Sequence, residues 1–138
     1  MNEMIKFKDN AVNRKYLLYV VADYENLELR VVSTYLDTFS IHYDSFGKLD
    51  EMVSYLRKSC ELYQVDTLLL NLDNTVALEF YKEKNKDNKD IWFAEITFAY
   101  DHMMPLIYEL SHVEYMDSSE FFIDDIMLNS VYYDNKEE

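Results

Sequence analysis

Alternation of apolar and polar positions organises the first third of the chain. The stretch KYLLYVVADY (15–24) is short, almost continuous in Val, Leu and Tyr, and predicts a strand buried on both faces. In ENLELRVVSTYL (25–36), Leu27, Leu29, Val31, Ser33 and Tyr35 fall on one side and Glu28, Arg30, Val32, Thr34 and Leu36 on the other, the period of two that a strand imposes. TFSIHYDSF (38–46) repeats it, with Phe39, Ile41 and Tyr43 against Ser40, His42 and Asp44. Three consecutive strands predict a meander. The period then changes: Leu49, Met52, Val53, Leu56, Cys60 and Tyr63 recur at three and four residues, which predicts a helix over 48–64.

Two further strands are expected in TLLLNLDNTVALEFY (67–81), with Asp73 and Asn74 supplying a tight turn. KEKNKDNKD (82–90) has no apolar residue and reads as an exposed, charged hairpin loop, and IWFAEITFAY (91–100) as a sixth strand. Pro105 suits the first position of a short helix ending near Val113. Asp117 with Glu120 resembles a capping box that opens a last helix through SEFFIDDIMLN (119–129), although Val131, Tyr132 and Tyr133 favour a strand. The expectation is an α+β fold: a mostly antiparallel sheet of about six strands in the order βββα-βββα, helices packed on one face, and a final helical segment towards the C-terminus.

Composition bounds this picture. A chain of 138 residues that is 49% hydrophobic and 16% aromatic holds enough apolar area to offset the entropy of folding, and its length suits a single globular domain, 1–138. Within it, 1–14 reads as a polar lead-in and 134–138 as an acidic tail. With one Gly and one Pro, the turns must fall largely to Asn and Asp, and no Gly-rich phosphate loop is present. One Cys excludes an internal disulfide and a Cys-rich zinc site. There is no signal-like segment after MNEMIKFKDN and no apolar run of about 18 residues, so a cytoplasmic location is expected.

The charge is uneven. Net charge is −14, and of the 27 acidic and 13 basic residues, 12 acids and only Lys136 lie in 90–138. Such a balance opposes a direct grip on nucleic acid, whose phosphates are held by Lys and Arg, and is repelled by anionic membranes. No catalytic motif accompanies it, and the expectation is a protein that is not an enzyme and carries no cofactor or metal. His42, His102 and His112 lack ligand spacing, and Cys60 falls on the apolar stripe of the predicted helix, where it packs as a small hydrophobe. Ser118 and Ser119 have neither a GxSxG elbow nor an SxxK pair, and Asp124 with Asp125 lacks the spacing of a calcium loop.

What remains is the acidic final third, where Tyr100, Tyr108, Tyr115, Phe121, Phe122, Tyr132 and Tyr133 interleave with carboxylates. Two readings stand. In one, the rings pack inward and the acids form a solvated face. In the other, the segment is an interface in which rings supply contact area and carboxylates pair with Arg and Lys of a basic protein partner. The second places the partner-binding surface at Glu95, Asp101, Glu109, Glu114, Tyr115, Asp117, Glu120, Phe122, Asp124, Asp125 and Tyr133.

A short, strongly acidic, single-domain chain rich in Asn, Lys, Tyr and Ile is similar in composition to phage-encoded DNA-mimic and anti-CRISPR proteins. That resemblance extends over the whole chain and implies a stoichiometric inhibitor of a basic, nucleic-acid-binding effector, with carboxylates standing where phosphates would lie. An immunity protein that neutralises a cognate toxin such as a nuclease has the same physics. An enzyme or small-ligand module built from dispersed residues, and a homo-oligomer joined through strand edges, are the readings from other classes.

Overall fold

The computed structural model describes residues 4–34, 38–100 and 103–110. They are α+β, with ten short strands in three sheets, mostly antiparallel, and among the described residues one α-helix. Two compact units can be distinguished, one formed by residues up to 77 together with 96–105, the other by 78–95 and the segment beginning at 106.

The first unit begins where a polar lead-in is expected, yet two strands form there: β1 (Met4–Lys6) and β2 (Ala11–Asn13), paired antiparallel around Ile5↔Val12. Ile5, Phe7 and Val12 are buried in the main core, which gives this hairpin its apolar anchor despite its charged surroundings. Next come β3 (Leu17–Asp23), β4 (Glu28–Ser33) and β5 (Phe39–His42), the expected meander. β6 (Tyr63–Val65) and β7 (Leu68–Leu70) complete a five-stranded antiparallel sheet in the order β5-β4-β3-β7-β6.

Burial follows the pleat. Val20, Ala22, Leu29, Val31, Ile41 and Leu69 lie in one core cluster with Leu49, Val53 and Leu56 of α1 (Phe46–Lys58). Leu68 and Leu70 alternate with Leu69 and are equally buried, so this part of the sheet is covered on both faces. On that second side Tyr19 stacks on Phe98 with centroids 5.7 Å apart. A register shift between Leu17 and Tyr19 marks a bulge in β3.

The helix starts where Ser45 Oγ accepts from the Lys48 N–H at 3.2 Å, satisfying one of its unpaired donors. Its apolar stripe is as expected over Leu49, Val53 and Leu56, but it ends at Lys58 rather than at residue 64. The Ser59 and Cys60 N–H groups both donate to the Tyr55 carbonyl, the Leu62 N–H turns back to that of Leu56, and Glu61 adopts φ 59°. This left-handed corner reverses the chain and frees Tyr63–Val65 to pair with β7, overriding a helical spacing that Cys60 and Tyr63 match only in sequence. Leu27, Asp66 and Asn88 are likewise at positive φ without being glycine.

Asp73 and Asn74 do lie in a tight turn, the 3-10 segment Leu72–Asn74, but the strands it joins are not partners. β7 belongs to the five-stranded sheet, whereas β8 (Thr75–Lys84) lies beside β9 (Asp90–Phe98) in a sheet ordered β10-β9-β8. The turn is held by two buried amides. Asn71 Nδ2 donates to the carbonyls of Arg14 (2.8 Å) and Leu17 (2.9 Å), and Asn74 Nδ2 to those of Lys15 (3.0 Å) and Leu17 (2.7 Å). Asn71 Oδ1 accepts from the Asp73 N–H, and its backbone carbonyl accepts from Thr75 Oγ1. Arg14 also pairs with Asp73 at the surface.

Around the second unit, Lys82–Lys84 extend β8 and Asp90 opens β9, so the expected loop over 82–90 shrinks to 85–89. Asn85 Oδ1 organises it, accepting from the N–H groups of Asp87 and Lys89 at 2.9 and 3.0 Å. β10 (Leu106–Leu110) stands where a short helix after Pro105 is expected. LIYEL is too short for its own periodicity to decide, and pairing with β9 selects the strand. The predicted six-strand βββα-βββα order is therefore replaced by three sheets. The last helix (119–129) and the acidic tail (134–138) lie outside the described residues. Among the described residues no helix is long and apolar enough to cross a membrane.

Asn71→Ala removes the side-chain donor to the half-buried Arg14 carbonyl and one of the two to the Leu17 carbonyl, which keeps Asn74, and should lower unfolding free energy by about 1–2 kcal/mol in urea denaturation. A second expectation concerns alkaline pH. Tyr24 donates to Asp50 Oδ1 at 2.9 Å, linking the end of β3 to α1, and burial first, then Asp50, push its phenol from 10.0 up to about 12. A folded value above the unfolded one means that this stabilisation is complete below pH 10 and lost as the pH rises to about 12. Asp50→Asn should bring the Tyr24 titration down and narrow that window, as read by NMR of labelled tyrosine.

Candidate functional site

In the second unit the strands β8, β9 and β10 are sorted by alternation into two faces. Leu78, Ala94 and Leu110 are buried on one. Glu79, Tyr81 and Glu83 of β8 occupy the other, and their spacing of two residues sets successive side chains roughly 6.8 Å apart along the strand. Phe93 and Glu95 take the corresponding alternate positions of β9, fixed by the ring contact described next. On β10 the exposed positions are Ile107 and Glu109, alternating with half-buried Leu106 and Tyr108 and buried Leu110.

Tyr81 and Phe93 stack with centroids 5.4 Å apart and planes 27° from parallel, so two apolar rings lie side by side between the carboxylates. Glu95 lies close to the Tyr81 hydroxyl. Partial burial, then the charges of Glu95, Glu83 and Glu79, raise the Tyr81 phenol above its ordinary value, because ionisation would place a fourth negative charge among three. The phenol thus remains a neutral donor at ordinary pH. Among the described residues, no Lys or Arg lies within ion-pair distance of Glu79, Glu83, Glu95 or Glu109.

Asp90 behaves differently. Lys82 Nζ and Lys84 Nζ reach its carboxylate at 3.8 and 2.9 Å, so this first acid of the basic-poor segment is neutralised by the preceding strand. The lysines and Asp90 mark the turn end of the hairpin, and among the described residues the glutamates are left without an ion pair. A face of this kind can accept cationic groups and offer rings to pack against them; it has neither a nucleophile nor a converging set of metal ligands.

Of the sequence-predicted partner-binding residues, the described structure places Glu95 and Glu109 on β9 and β10. Asp101, Glu114, Tyr115, Asp117, Glu120, Phe122, Asp124, Asp125 and Tyr133 lie outside the described residues. The sheet adds Glu79, Tyr81, Glu83, Phe93 and Ile107, which sequence reasoning passed over because Glu79 and Glu83 stand in the part of the chain that also holds lysines. The signal was the i, i+2, i+4 placement of Glu79, Tyr81 and Glu83, which the expected loop over 82–90 cut off before Glu83.

The other candidate chemistry resolves simply. Cys60 follows α1, half-buried against the core, and burial pushes its thiol up, which keeps it protonated. His42 is exposed on β5, while His102, His112, Ser118 and Ser119 fall outside the described residues. Among the described residues no three His, Cys, Asp or Glu side chains converge to hold a metal.

Glu95→Gln removes the carboxylate charge beside Tyr81 and leaves only a weaker amide oxygen as acceptor, so the Tyr81 phenol should titrate at lower pH in that variant than in the parent, whereas Glu61→Gln should leave it unmoved. Labelled-tyrosine NMR across the alkaline range checks this. No protein-family model, curated protein or solved structure matches the chain.

Proposed function

We propose that the protein is a small acidic binding protein that inhibits a basic, nucleic-acid-binding partner by steric and electrostatic blocking. The observation that carries this reading is the face of β8-β9-β10 where Glu79, Glu83, Glu95 and Glu109 accompany stacked rings and, among the described residues, make no ion pair. In the free protein these carboxylates are solvated. On association they meet Arg and Lys of the partner, occupy the places of nucleic-acid phosphates, and release counterions from the cationic groove. The rings of Tyr81 and Phe93 add contact area with little rotamer entropy to lose. Association in this mechanism is fast, because a charge of −14 steers a cationic partner from beyond contact.

The test is capture from the native host's extract with the full chain, followed by identification of the bound protein by mass spectrometry and purification of the pair. Changing Glu79, Glu83, Glu95 and Glu109 together to Lys should abolish binding. The same reversal at exposed Asp9, Glu25, Glu51 and Glu61 changes net charge equally and should weaken it far less. Affinity of the parent should fall steeply between low and physiological salt, and nucleic acid should compete with it. A complex indifferent to salt, or a partner that holds this protein and its nucleic acid together, would refute the reading.

A further inference from the structure

A depression of about 340 Å³ opens in the first unit at the turn end of the β3–β4 hairpin, on the sheet face turned away from α1. Its size lies within the range of small-molecule sites. Val21 gives it an apolar base, Tyr24 and Thr67 contribute to its lining, and Asp23, Glu28 and Arg30 supply the charge. Val21 sits directly across from Arg30, and Asp23 across from Glu28, so the register itself brings these groups together.

The three charged groups are not equivalent. Asp23 is already committed: its two oxygens accept from the backbone N–H and the side-chain amide of Asn26, at 3.1 and 2.8 Å. Tyr24 is committed as well, through its bond to Asp50. The Glu28 and Arg30 side chains differ, since among the described residues neither makes a hydrogen bond or an ion pair, even with each other, although the Arg30 guanidinium is near enough to act electrostatically on Asp23 and Tyr19. They stand two residues apart on one side of β4, roughly 6.8 Å along the strand. A carboxylate and a guanidinium are thus held on one side of β4 beside Val21, with no ion pair to either among the described residues.

We propose that this depression binds a small amphoteric ligand of the α-amino acid class, its carboxylate on the Arg30 guanidinium, its ammonium on Glu28, and an apolar side chain over Val21. Arg30 offers a planar, bidentate fork that suits a carboxylate. A ligand with anionic charge alone would meet the repulsion of a chain carrying −14, whereas one with both charges is neutral overall and gains from each local partner. An aliphatic side chain covers Val21 and removes apolar surface from water. This site is independent of the acidic sheet face.

The experiment uses the full chain labelled with 15N and three probes: L-leucine, N-acetyl-L-leucine, which lacks the ammonium, and L-leucinamide, which lacks the carboxylate. Leucine should produce saturable shifts at the amides of Val21, Glu28 and Arg30, and each truncated probe should bind about tenfold more weakly, the loss of one charge-assisted hydrogen bond. Glu28→Gln should weaken leucine without weakening N-acetyl-leucine, and Arg30→Gln should weaken leucine without weakening leucinamide. That crossed pattern separates ligand contact from loss of structure, which would weaken all three probes together. Absence of saturable shifts with leucine, or equal losses for every probe in both variants, would overturn the proposal.

Discussion

Two buried side-chain amides hold the centre of the first unit. Asn71 and Asn74 lie at the one place where the chain leaves the five-stranded sheet and begins β8, and their Nδ2 groups converge on the carbonyls just before and at the start of β3. Both side chains are buried, so those carbonyls exchange water for amide donors rather than losing partners. Backbone bonds extend the clamp, with the Asn71 N–H donating to the Leu18 carbonyl and the Ala99 N–H to that of Asn74. The bulge at Leu17–Tyr19, the exit of β7 and the return of the chain after β9 therefore share one polar junction. An apolar pair of similar size would fill the space and leave four donations unmade.

Legibility of the fold in the sequence varied with the range of the interactions that decide each element. β3, β4 and β5 follow each other in chain and in sheet, so alternation at Leu29, Val31 and Ile41 was enough to define both strand and face. The stripe Leu49, Val53 and Leu56 was equally plain, although the cap at Ser45, ahead of the expected start, came only with the structure. Past Lys58 the same spacing misled, because Tyr63 is claimed by Leu70 across a strand pair that no local period reports. β10 was hidden for the same reason. Its five residues fit a helical turn or a strand, and only the neighbouring β9 distinguishes them. β1 and β2 escaped notice because Ile5, Phe7 and Val12 are isolated among charges, and their burial depends on a core assembled from distant residues.

The candidate surface was legible in composition and hidden in geometry. A basic-poor segment beginning at Asp90 pointed towards Glu95 and Glu109, yet a sheet face draws on every strand crossing it. β8 adds Glu79 and Glu83 from a region whose net charge is close to balanced. Its lysines are spent on Asp90 at the hairpin end, which no count of charges along the chain reveals. Net charge thus locates a tendency, and strand parity locates the surface. The same parity separates Glu28 and Arg30 from the core side of β4, where Leu29 and Val31 sit.

Leu27 turns the corner between β3 and β4 at φ 55°, a conformation that a branched side chain adopts at a cost of about 1–2 kcal/mol. Its carbonyl accepts the Tyr43 N–H at 2.8 Å and its side chain packs against the main core, so the corner is stabilised by residues far along the chain. An isolated 17–33 hairpin lacks both supports and would carry the cost alone. In the folded protein this corner therefore owes its stability to the residue that follows β5 and to the core, so the β3–β4 hairpin is not a self-sufficient unit.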